Sequence, residues 1–95
     1  MEYLIIGRDG TDEKALDRRM EHRPAHLVGM KALKASGNII LAGAMLNEAG
    51  NMAGSAVIMR FDTPEELEKW LSEEPYIQGK VWEFYEVHPL KIADL

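Results

Sequence analysis

There is no cysteine in this 95-residue sequence, and that absence removes disulfide frameworks, thiolate nucleophiles and cysteine-ligated zinc or iron–sulfur centres together. Long apolar runs are missing as well, since no window approaches the roughly 18 consecutive apolar residues of a membrane helix. The opening Met1-Glu2-Tyr3-Leu4-Ile5-Ile6-Gly7 has neither the basic flank nor the longer apolar core of a signal peptide. The expected compartment is therefore the cytoplasm, with no membrane partner. Neither a Gly-x-Gly-x-x-Gly run nor a phosphate-loop pattern occurs, so a tightly bound nucleotide cofactor lacks support. Positive charge is in deficit, with 11 Lys and Arg against 16 Asp and Glu and a net charge of -5. That balance opposes nonspecific attraction to nucleic acid, and the aromatic residues do not alternate with basic ones as a base-stacking surface requires.

What is present describes a single globular domain over residues 1–95, 46% hydrophobic and 28% charged. It is large enough for a core and small enough that oligomerisation is a reasonable expectation. Residues 3–8 form a β-rich run closed by the turn-forming Asp9-Gly10-Thr11-Asp12. A helical segment follows to about Ser36, capped by Thr11 or Asp12 and stopped at Gly37. Pro24 either kinks that helix or starts a new one, because proline lacks the amide proton and crowds the preceding turn. Residues 38–45 and 55–61 read as strands joined by a connection carrying Gly50-Asn51 and Gly54. Asp62-Thr63-Pro64-Glu65-Glu66 starts a second helix, whose face carries Leu67, Trp70 and Leu71 and which ends before Pro75. Gly79 marks a loop, and residues 81–90 form the last strand.

The order β-α-β-β-α-β is the split βαβ arrangement, an α+β, ferredoxin-like sandwich with two helices on one face of a four-stranded sheet. The other face needs cover. Trp82, Phe84 and Val87 alternate in the last strand and are more apolar than a solvated face requires, which predicts a homodimer formed through the sheet.

One conflict stands out in the first helix. Leu16, Met20, Leu27, Met30 and Leu33 recur at helical spacing and mark the buried stripe. Arg19, Arg23 and His26 fall within it: at about 100° per residue, Arg19 lies beside Met30, and His26 lies between Met30 and Leu33. Cations turned toward a core are costly unless an anion or a ligand meets them, so this face suggests a pocket. Arg19 and Arg23 can clamp an anion, since a guanidinium offers a planar fork to carboxylate or phosphate. The plainer alternative is salt bridges to glutamates on the second helix or its exit. His22 and His26 are four residues apart, but Pro24 disturbs the spacing and no third ligand is identified, so no metal is expected. The methionines are read as core and interface filler.

Arg23-Pro24-Ala25-His26-Leu27, then Gly37, Ala42-Gly43, Gly54-Ser55, Glu74-Pro75-Tyr76, Val81-Trp82 and Val87-His88-Pro89-Leu90 follow one another in an order that resembles the YCII-related (YciI-like) family. The resemblance covers almost the whole chain. It implies a ferredoxin-like fold of the dimeric α/β barrel type with a pocket beside the first helix, and a histidine and an acid as an active-site pair. His26 matches the histidine. The family's Asp-Pro-Tyr appears here as Glu74-Pro75-Tyr76, one methylene longer, with Glu73 an adjacent alternative acid. Ser55 matches a third polar member of the pocket, and Tyr76 joins Arg19 and Arg23 as substrate-binding.

A histidine beside a carboxylate can hold one ring nitrogen as donor and leave the other as a general base. The expectation is a cofactor-independent lyase or isomerase acting on a small anionic or phenolic molecule, with His26, Glu74 and Ser55 as catalytic residues. A noncatalytic metabolite-binding or accessory dimer is the alternative, and it needs the same pocket without proton transfer.

Overall fold

A computed structural model describes residues 1–95. Its elements are β1 (Glu2–Asp9), α1 (Ala15–Ala35), β2 (Ile39–Leu46), β3 (Met52–Arg60), α2 (Pro64–Glu73), α3 (Pro75–Gln78) and β4 (Trp82–Leu90). The strands form one antiparallel sheet in the order β2-β3-β1-β4, which is the ferredoxin-like arrangement. No helix is long and apolar enough to cross a membrane.

Alternation along β1 and β3 turns Tyr3, Ile5, Val57 and Met59 toward the helices, where they form a core with Ile39, Phe61, Leu67, Trp70 and Leu71. The second helix begins as its residue types dictate. Thr63 Oγ1 accepts from the Glu66 amide, and Pro64 occupies the first turn, where no amide proton is needed. The first helix ends at Gly37, whose φ of 85° suits a residue without a Cβ, while the Asn38 amide reaches back to the Leu33 carbonyl.

Four details differ from the sequence reading. Neither Thr11 nor Asp12 caps α1. The flanking residue is Lys14, and Asp12 instead accepts from the Lys14 amide and pairs with Arg18. Of the two readings of Pro24, the start of a new helix does not hold, since α1 runs through it without a break. Residues 75–78, read as part of a loop, form the short α3, capped by the Glu74 side chain accepting from the Tyr76 amide.

The fourth difference concerns the last strand. Pairing between β1 and β4 shifts at Arg8/Asp9, so that Phe84 faces Arg8 while Trp82 faces Asp9, leaving Glu83 as the extra residue of a bulge. Trp82 therefore lies on the helix side and is buried, whereas Phe84 lies on the open face and is 52% exposed. Val87 packs against the core. Trp82 and Phe84 do not share a face, because the bulge breaks the period of two on which that reading depends, and Val87, three residues after Phe84, lies with Trp82 on the helix side. The open face carries instead Leu4, Ile6, Leu41, Ala56, Ile58 and Phe84.

Candidate functional site

The carboxyl end of β1 and the early residues of β3 and β4 lie at one end of the sheet, beneath the N-terminal half of α1 and beside α3. On α1 the inward face is made by Arg19, His26 and Met30, all buried, while Leu16 and Met20 are 37% and 48% exposed. The stripe expected from the apolar residues is thus corrected over its first half. There the polar residues turn inward, because buried partners meet them.

Arg19 meets Asp9. Its Nη1 donates to both Asp9 oxygens, at 2.9 and 3.1 Å, and Nη2 donates to Ser55 Oγ at 3.1 Å. Both side chains are almost wholly shielded from solvent, so the charge-assisted contact of the one Nη1 nitrogen with both carboxylate oxygens pairs two charges that water does not reach. The anion is supplied by β1 and not by the second helix. Burial pushes the Asp9 carboxyl above the ordinary carboxylate range, against the opposing pull of Arg19. Ser55 Oγ also accepts from Trp82 Nε1 at 3.2 Å. Sequence alone does not point to Asp9 or Trp82 as members of the site: Asp9 reads as part of a turn and Trp82 as an interface residue.

His26 contacts Glu74 through Nδ1 and Oε1. An ionised carboxylate can only accept, so this contact requires the proton on Nδ1, and in a neutral imidazole of that tautomer Nε2 is the nitrogen with the free lone pair. The same Oε1 accepts from the Tyr76 amide at 3.1 Å, and Glu74 is buried while Glu73 is exposed. The extra methylene relative to aspartate therefore still spans the distance to the imidazole. The His26 ring stacks on Tyr76, with centroids 3.8 Å apart and planes 9° from parallel. On the same phenol ring the Arg19 guanidinium sits 4.8 Å from the centroid. Burial pushes the Tyr76 phenol up, with Arg19 and Arg23 acting in the opposite sense, so it remains a neutral hydroxyl at neutral pH.

These groups border a cavity of about 250 Å³, walled by Leu27 and Met30 of α1, Ala42 and Ala44 of β2, and Val57 of β3. Arg19, Arg23, His26, Ser55 and Tyr76 all line it, and Glu74 stands behind His26. The Arg23 side chain is half-buried and takes part in no ion pair or hydrogen bond within the protein. The guanidinium free to meet a ligand's negative charge is thus Arg23, since Arg19 is held by Asp9. His22 lies against Gly79, leaving no room for a Cβ there, and no group of three metal-ligating side chains is assembled anywhere in the chain.

Comparisons with known proteins agree with this architecture. The chain is 34% identical over 97 residues to Protein YciI of Escherichia coli O6:H1, covering 96% of this chain and 97% of that one. It is 30% identical over 98 residues to an uncharacterized protein of Haemophilus influenzae, with coverage of 96% and 97%. Among solved structures, 5-chloro-2-hydroxyhydroquinone dehydrochlorinase (TftG) from Burkholderia phenoliruptrix AC1100, in complex with 2,5-dihydroxybenzoquinone, superimposes with a TM-score of 0.83 at 24% identity, covering 98% and 96% of the two chains. A dimeric ferredoxin-like protein of unknown function from Jannaschia sp. CCS1 superimposes with a TM-score of 0.54 at 12% identity, covering 96% and 98%. Residues 1–91 match the YCII-related domain, and with that match and the identity to YciI along nearly the full chain, the protein belongs to the YCII-related family.

Proposed function

We propose that the protein is a cofactor-independent lyase or isomerase for a small anionic or phenolic molecule, with His26 as the general base. What carries this reading is the His26–Glu74 contact at the edge of a cavity that also holds an uncommitted cation, Arg23. His26 Nε2 takes a proton from the substrate, and Glu74 keeps Nδ1 protonated and balances the imidazolium that forms. The electron pair released moves onto a substrate oxygen facing Ser55 and Arg23, whose donors offset the growing negative charge. Return of that charge to the carbon frame then expels a leaving group or accepts the proton at a second carbon. Ser55 serves as a donor in this scheme. It is no nucleophile, because both groups bonded to its oxygen are donors and neither can remove its proton.

The similarity to the dehydrochlorinase supplies a first compound, 5-chloro-2-hydroxyhydroquinone, to be tried with simpler phenols and enolisable acids. Incubation in deuterium oxide, followed by NMR, reads chloride-linked elimination or carbon-bound exchange. The expected result is turnover that falls by about 10²–10⁴-fold in His26→Gln and by less in Glu74→Gln. Binding of these compounds without exchange or elimination would replace the catalytic reading by the metabolite-binding one. The same reading includes a homodimer in which a second copy covers the open sheet face, where Leu41 is 65% and Phe84 52% exposed.

A further inference from the structure

We propose that Arg19 and Trp82 are positioning residues that act through Ser55, fixing its hydroxyl as a one-way hydrogen-bond donor into the cavity. The inference rests on the reading that the cavity takes an anionic or phenolic molecule, and it adds how an oxygen of that molecule is selected.

A serine hydroxyl has two acceptor sites and one proton. Here the Arg19 Nη2–H and Trp82 Nε1–H groups donate to Ser55 Oγ at 3.1 and 3.2 Å, filling both acceptor sites. No group of the protein accepts the serine's own proton, and Ser55 lines the cavity. The hydroxyl can therefore donate to a ligand but cannot accept from one. One of the two groups on its lone pairs is cationic, which polarises the O–H bond toward stronger donation.

Each of the two donors is itself held. Asp9 grips Arg19 through Nη1, leaving Nη2 directed at the serine. Trp82 reaches the serine because the bulge opposite Arg8/Asp9 turns it to the helix side and because Gly7 has no side chain. A Cβ on Gly7 would stand 2.2 Å from the indole Cδ2 and Cε2 atoms. Residues from β1, α1 and β4 thus converge on one hydroxyl of β3. The ligand group that such a hydroxyl accommodates is a phenolate, enolate or carboxylate oxygen. A group that can only donate, such as an ammonium, finds no acceptor there.

Two measurements test this. In ¹⁵N-labelled protein the indole N–H resonance of Trp82, distinguished from that of Trp70 by Trp82→Phe, is expected to shift in Ser55→Ala. An unchanged resonance overturns the proposal without bearing on catalysis. The second is a double-mutant cycle on binding of para-nitrophenolate, with para-nitroanisole as the control that lacks an oxyanion. Ser55→Ala is expected to weaken the phenolate by about tenfold or more and leave the ether unchanged. Trp82→Phe should weaken it less in the wild-type background and not at all in the Ser55→Ala background. Equal losses in both backgrounds, or equal losses for both compounds, overturn the proposal. Should Trp82→Phe fail to fold, Arg19→Lys takes its place in the cycle. Wild-type protein that binds no phenolate removes the anion site itself, and with it both this inference and the functional reading beneath it.

Discussion

The His26 imidazole lies flat on the Tyr76 ring, 3.8 Å from it and 9° from parallel, so the side chain of α3 that closes the core also sets the plane of the candidate base. Because the Tyr76 hydroxyl has no partner in the protein, its removal and the removal of its ring are expected to differ sharply. Tyr76→Phe should change stability by less than about 1 kcal/mol, whereas Tyr76→Ala should cost about 3–5 kcal/mol, as aromatic truncations in cores do. Urea denaturation of the two variants measures the difference.

Gly7→Ala is the smallest change expected to damage both fold and site. The new methyl would overlap the Trp82 indole, and the backbone of a paired strand cannot retreat from a side chain packed on it. A loss of about 1–3 kcal/mol is expected from such overpacking, with a displaced indole N–H resonance. Thermal unfolding and the same NMR spectrum report both.

Two carboxylates give opposite pH dependences. Burial raises the folded Asp9 pKa, so the native state holds this proton more tightly than the unfolded chain. Its contribution is full below the ordinary aspartate range and is lost as pH rises through the raised value. Glu2 is lowered by its hydrogen bond from Arg60, helped by the Ile92 amide. Its contribution is present above the ordinary glutamate range and is lost as pH falls through the depressed value. Because the Arg60–Glu2 pair lies at the surface, with Arg60 exposed and Glu2 partly so, that second contribution is weak and salt-sensitive. Unfolding midpoints measured against pH should lose the first trend in Asp9→Asn and the second in Glu2→Gln.

For the sheet face, Ile58→Lys places a charge opposite Leu4 and Leu41. If a second copy covers this face, the variant sediments as a monomer while wild-type protein sediments as a dimer. A wild-type monomer at micromolar concentration would refute the arrangement.

Much of the architecture is legible in the residues. Thr63-Pro64 with two following acids starts a helix, Gly37 stops one, and the alternation in residues 55–61 marks a strand with an inward face. The site is legible only in part. Arg19 and His26 announce themselves as polar residues on an inward helical face, but their partners do not. Asp9 sits among Gly10, Thr11 and Asp12, where turn chemistry explains it fully, and nothing local reveals that it ends a strand under α1. Trp82 is misplaced for a different reason: one extra residue, Glu83, reverses the face of everything before it, and a bulge depends on the partner strand. The short α3 escapes because Pro75 and Gly79 both look like punctuation, whereas the cap that starts this helix is the same carboxylate that meets His26.

That shared carboxylate joins two things usually treated separately. Four residues are too few to hold a helix by themselves, so α3 persists through the Glu74 cap and the packing of Tyr76. When this turn frays, the acid leaves the imidazole and the phenol leaves its face in the same event. An opening of this one segment, with the four strands still paired, would be enough to dismantle the candidate centre, so loss of hydrogen-exchange protection in α3 and loss of the His26–Glu74 contact are expected to coincide.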